Sequence, residues 1–327
     1  MTFNSMGIKI MRRHASTATA CSAWRKILFS AAAVAGLFGM GAADAWAQKN
    51  APARATTEEQ SIVGRNVTLK ATYYRSTGEQ NSPVVLLLAG RSSNRQVWKP
   101  FAEVLQKSGY AVLTVDLRVQ GETAGAAAAG AKVDSTPLKA LEYQAMVTDD
   151  MEAIKKFLFD EHQRKRLNMA KLGIVAADAM ASVAICYTEV DWSKTPYDDA
   201  PTLALRTPRG QDIKALVLLS PEQNAPGLPV TQSLNKIRNL KIPTLICVSK
   251  SDTRDRGAAK KVYSQLAPRK EGFEQIYFEE YPGKAQGTDL MAPQQRTSLH
   301  IFNFLETHLK KLNIEWVDRR SRLDRSE

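Results

Sequence analysis

The 327 residues carry 45 Lys and Arg against 33 Asp and Glu, a formal charge of +12, with three cysteines and four histidines. That length supports one large core, and the positive balance favours acidic surfaces in a salt-dependent way. No metal-ligand spacing of His and Cys appears, and the charge is dispersed: its densest run, Arg164-Lys165-Arg166, has few aromatics nearby and reads as a solvated face, not a nucleic-acid site.

The chain opens with Arg12, Arg13, Arg25 and Lys26, then the apolar stretch Ile27 to Met40, then Ala45-Trp46-Ala47. A basic head, a short apolar middle and a small-residue exit predict a secretory signal peptide over 1–47. The stretch is shorter than the ~20 residues a membrane span needs. Arg12-Arg13 lies too far from it for a twin-arginine signal, and Cys21 precedes it, against a lipid anchor. Cleavage would take five cations and Asp44 and leave +8, with Cys186 and Cys247 the surviving cysteines. Both stand in apolar company and read as buried free thiols, although one disulfide is open to them in an oxidising compartment.

Residues 48–60, rich in Ala, Thr, Gln and Glu, read as a linker to a domain over 61–315, with 316–327 a polar, charged tail. Val67 to Tyr74 alternates like an edge strand, and Pro83 to Leu88 is a buried apolar one. A helix is predicted at Val97 to Lys107, a strand at Ala111 to Val115 and an amphipathic helix at Met146 to Phe159. Leu172 to Val175 is the next strand, and the small residues from Ala179 to Ile185 suit a helix packed tightly on a sheet. Strands follow at Ala215 to Leu219, Pro243 to Val248 and Gln275 to Phe278, with helices near 256–266 and 295–312. Such alternation implies a mostly parallel sheet covered on both faces.

Four segments in order carry a resemblance over roughly 62–312: Val84 to Gly90, Gly109 to Thr123 (with Asp116, Arg118 and Gly121), Ile242 to Asp252, and Tyr281 to Met291. Together they resemble the α/β-hydrolase fold, which implies an eight-stranded, mostly parallel sheet without a large cap domain. A hydrolase of that family reads G-x-S-x-G at the turn after the Leu172 strand. This chain reads Ala176-Ala177-Asp178-Ala179-Met180, and the loop that would deliver the histidine carries Gln286. By the resemblance, Asp178, Gln286 and Asp252 are the vestigial triad positions, and Gly90, Arg91 and Ala179 the binding positions of loop and turn. Glutamine cannot accept and return a proton near neutral pH. None of His14, His162, His300 and His308 falls at a strand's carboxyl end.

Asp178 is expected to act as a turn former whose carboxylate caps the following helix, in a relaxed turn because Met180 puts a long side chain where a glycine is usual. The whole reads as a secreted or periplasmic pseudoenzyme that binds a small ligand or protein partner, with no cofactor and no membrane span after cleavage. The alternative is an active hydrolase of the esterase or dehalogenase type, using Asp178 or a displaced serine, Ser220 or Ser92.

Overall fold

Eight strands form a single sheet in the order β1-β2-β4-β3-β5-β6-β7-β8. They run Thr56–Val63 (β1), Thr68–Arg75 (β2), Pro83–Leu88 (β3), Ala111–Asp116 (β4), Asn168–Ala177 (β5), Ile213–Leu219 (β6), Thr244–Ser249 (β7) and Ile276–Tyr281 (β8). The first two pairings, β1 with β2 and β2 with β4, are antiparallel; every other is parallel. In this computed structural model the described residues are 55–127, 138–223, 225–267, 275–293 and 296–325. The expected signal peptide and the first part of the linker lie outside them.

The central strands are buried along nearly their whole length because helices cover both faces of the sheet. Along β3, Val84, Leu86 and Leu88 enter one core cluster, while Val85 and Leu87 enter the other. The helices are Lys99–Lys107 (α1), Gly121–Ala127 (α2), Ala140–Ala145 (α3), Met151–Gln163 (α4), Ala179–Ser193 (α5), Val230–Leu240 (α6), Ala258–Leu266 (α7) and Thr297–Leu305 (α8). A π turn over Met146–Asp150 joins α3 to α4. Inside β5, Gly173 is where α8 and the turn beyond it come closest: a Cβ there would stand 2.9 Å from a Leu309 methyl.

Two expectations change at the sheet's first edge. The Val67 segment is not an edge strand, since β1 pairs along its outer side from Thr56 to Val63. Its alternation reflects a strand with one less covered face, which does not distinguish an edge from its neighbour. The linker therefore ends before residue 60. The helix Val230–Leu240 had no counterpart in the sequence reading, although Val230, Leu234 and Ile237 give it a buried stripe at helical spacing. The expected polar tail is docked where it can be seen. Trp316 stacks on His162 with ring centroids 5.0 Å apart, and Arg319 is buried against Asp212.

Candidate functional site

Asp178 stands between β5 and α5 at φ 51°, ψ −128°, outside the left-handed well that turns ordinarily use. This is a strained strand-to-helix elbow, and the relaxed turn expected from Met180 is not what forms. Met180 instead points into the core, fully buried with Ala181 and Val183. Hydrogen bonds pin the elbow: Asp178 N–H donates to Leu219 O at 2.9 Å, and Asp178 O accepts from Ala181 N at 3.1 Å and Glu222 N at 3.3 Å. The end of β6 and the loop after it thus hold the turn in shape.

The carboxyl of Asp178 does not cap α5, because its side chain accepts no capping bond. It lies between two glycines instead. A Cβ added to Gly90 would come within 1.9 Å of Asp178 Oδ2, and one added to Gly287 within 2.4 Å of Oδ1. Both positions therefore need glycine, and Gly287 needs it twice because its φ is 52°. Buried Oδ1 has no hydrogen-bond partner among the described residues. Burial raises the Asp178 pKa to about 7, Glu222 adds to the rise, Arg254 opposes it, and Asp252 and Asp289 contribute further repulsion.

The two other positions that the resemblance singled out, Asp252 and Gln286, follow strands at the same rim of the sheet. Asp252 follows β7; its Oδ1 accepts from Arg254 N at 2.9 Å, and its buried Oδ2 has no partner among the described residues. Gln286 follows β8 at the head of a 3-10 turn, Gly287–Met291, and is 9% exposed. Asp178 and Asp252 act on one another electrostatically with no imidazole between them. The three described histidines are engaged elsewhere. His162 is buried between Leu167 O and Val317 O, His300 Nδ1 lies 3.0 Å from the Tyr281 hydroxyl, and His308 Nε2 lies 3.0 Å from that of Tyr277.

The loop after β3 is fixed from below. Buried Gln120 donates from Nε2 to Ala89 O and Gly90 O, both at 2.9 Å, and its Oε1 accepts from Leu117 N. Asp116 accepts from Arg95 N and pairs with the Arg95 guanidinium at 2.7 Å; Arg118 pairs with Asp150 of the π turn at 2.7 Å. The motif residues Asp116 and Arg118 thus brace the site without entering it. Gly90 meets Asp178 through its Cα, Ala179 is buried at the start of α5, and Arg91 lies close enough to Glu222 to stabilise its charge.

Ser220 sits just past β6 at φ 44°, 2% exposed, and its Oγ accepts from Gly287 N at 3.1 Å. It lines a cleft of about 400 Å³ with Glu222, Gln223, Arg254, Arg256, Lys261 and Gln286. Ser92 is exposed on the loop after β3. Gly287, Glu222 and Arg254 were missed in the sequence. Glu222 and Arg254 follow strand ends, where an open α/β sheet gathers its ligands, and that position was the available signal. Cys186 and Cys247 are both buried and free, and burial pushes the Cys247 thiol up to about 12. No helix among the described residues is long and apolar enough to cross a membrane.

No family model matches the sequence, and no curated protein matches it either. Solved structures do. A dienelactone hydrolase from Anabaena variabilis is 18% identical with a TM-score of 0.50, covering 78% of this chain and 99% of its own. A thermostable carboxyl esterase from Bacillus coagulans is 11% identical with a TM-score of 0.53, covering 78% and 99%. One of two esterases from Rhizomucor miehei is 18% identical with a TM-score of 0.52, covering 83% and 89%. With the sheet order above, these likenesses establish an α/β-hydrolase fold.

Proposed function

We propose that this chain is a secreted or periplasmic, non-catalytic protein of α/β-hydrolase fold that binds a small ligand in the cleft beside Asp178. Fold alone would suggest hydrolysis, but function is decided by the site. The observation that carries the reading is the position of the Asp178 carboxyl. It occupies the elbow, is closed in by Gly90 and Gly287, and has no imidazole among the groups that set its pKa. Ester hydrolysis needs an alcohol, a base to take its proton and an acid to orient the base. Here the alcohol position holds a carboxyl and the base position holds Gln286. The retained cleft, with mixed charge and amide groups, gives such a scaffold something to bind.

A second reading has the strained elbow in its favour, since that backbone is what presents a nucleophile. In it, ionised Asp178 attacks carbon and forms an ester, expelling halide from an alkyl halide or opening the C–O bond of an epoxide to an alkoxide that takes a proton from water. Without a base to activate water, the ester would persist and add its mass to the protein.

The test treats the full chain with acyl esters, a fluorophosphonate probe, and an alkyl halide and an epoxide, and follows turnover and intact mass. The expected result is no turnover and no adduct. A stable adduct at Asp178 would establish the second reading, and stoichiometric fluorophosphonate labelling of Ser220 or Ser92 would establish a displaced serine site.

A further inference from the structure

The cleft past β6 carries several exposed charges. Arg254, Arg256 and Lys261 line it, all three exposed, and none forms an ion pair among the described residues. Two acids line it as well. Asp255 is committed to the start of α7, accepting from Gly257 N at 2.9 Å through Oδ2 and from Ala259 N at 2.8 Å through Oδ1. Glu222 is exposed at the rim, where desolvation raises its pKa while Arg91 and Arg254 oppose the rise. The balance of accessible charge in the cleft is positive.

Deeper in, Gln286 is nine-tenths buried and lines the same space, and its side chain makes no hydrogen bond among the described residues. The amide faces the cleft, where its donors and its acceptor are open to a ligand group. Ser220 lines the cleft beside it; its Oγ already accepts from Gly287 N, which leaves the hydroxyl hydrogen to donate. The volume of about 400 Å³ suits a small organic molecule and little else.

We propose that this cleft binds a small organic carboxylate, its anionic group held by Arg254, Arg256 and Lys261 and its inner polar group by the Gln286 amide and the Ser220 hydroxyl. The assignment rests on the ligand-binding reading of the same site and gives that ligand its chemical class. Carboxylate is favoured over a cationic ligand because the three cations lining the cleft outnumber its two acids, Glu222 and Asp255. It is favoured over bare phosphate because the Gln286 amide and the Ser220 hydroxyl lie inward of the cations and suit a second polar group carried on an organic skeleton.

The experiment is a thermal-shift titration of the full chain at low salt with succinate, citrate, inorganic phosphate and putrescine, repeated by calorimetry for any probe that shifts the transition. Succinate or citrate should stabilise saturably and outcompete phosphate. The double variant Arg254→Gln/Arg256→Gln should weaken that binding about ten-fold or more, as expected for losing charge-assisted hydrogen bonds. Lys261→Gln, at an exposed helical position, serves as the second variant should the double one not fold, and should also weaken binding. No saturable carboxylate binding, equal affinity in the variants, tighter binding of phosphate, or preference for putrescine would each overturn the assignment. Absence of carboxylate binding in a chain that also lacks turnover would leave the non-catalytic reading standing. Carboxylate binding together with ester turnover would remove that reading and keep this site.

Discussion

The two ends of the sheet handle buried charge in opposite ways. Below the amino end of β6, Lys155 lies between Asp191 and Asp212, with its Nζ 2.6 Å from the Asp212 carboxylate, and Arg319 Nη1 closes on Asp212 Oδ1 at 2.6 Å. The second oxygen of Asp191 accepts from Asp212 N at 2.7 Å and Ile213 N at 3.2 Å. At the carboxyl end, Asp178 Oδ1 and Asp252 Oδ2 are buried without partners among the described residues, and the elbow is strained. Buried charge is tolerated where it is paired and hydrogen-bonded, and it is costly where it is not. The first arrangement makes a structure. The second is what a site looks like.

Breaking the paired end should have the largest effect. Asp212→Ala strips one carboxylate from two buried cations, Lys155 and Arg319. It should destabilise the fold by about 3–5 kcal/mol in denaturant unfolding, because an uncompensated charge remains in the interior. A loss under about 1 kcal/mol would mean that water reaches the pair and the contrast between the two ends is overstated.

The carboxyl end offers a more specific test. Gly90→Ala puts a methyl against Asp178 Oδ2, at a position whose backbone is not in the left-handed region. It should cost on the order of 1–3 kcal/mol by overpacking, and most of that cost should vanish in an Asp178→Ala background. Additive effects of the two substitutions would show that the carboxyl does not sit between Gly90 and Gly287.

A smaller effect concerns pH. The folded Asp178 holds its proton up to about pH 7, whereas an unfolded Asp releases it near 4. Between those values the native state binds more protons, so this group's contribution is fully present below about pH 4 and is lost as pH rises toward 7. Asp178→Asn should therefore match the wild type in stability near pH 4 and exceed it at pH 8 by about 1–2 kcal/mol, less than the full shift implies because solvent reaches part of the carboxyl. Paired unfolding curves at the two pH values measure this, and an Asn variant less stable at pH 8 would reverse the sign.

Much of this was legible in the sequence because buried strands and helices advertise themselves. The runs Val84 to Leu88 and Leu216 to Leu219 are apolar on both faces, and the order of four segments pointed to an eight-stranded, mostly parallel sheet, though not to its strand order or its first edge. Asp178, Asp252 and Gln286 could be placed at strand ends for the same reason. The behaviour of the Asp178 carboxyl could not. Its cap role seemed natural from local chemistry, but tertiary neighbours on two distant loops, Gly90 and Gly287, provide its surroundings, and a local reading cannot see them. Met180 misled in a similar way, since the helix rotates it into the core instead of against the strand. The edge strand β1 was hidden by its composition: Thr57, Glu59 and Ser61 at exposed alternate positions read as linker.

The most direct measurement of the central claim is the titration of the Asp178 side-chain carboxyl in the full chain, followed by carbon NMR with Asp178→Asn to assign the resonance. A closed-in carboxyl should titrate near pH 7, so that below that pH it is protonated and a poor nucleophile. A midpoint close to 4 would mean a solvated, ionised carboxylate at the elbow, available to attack a substrate, and would contradict the non-catalytic account.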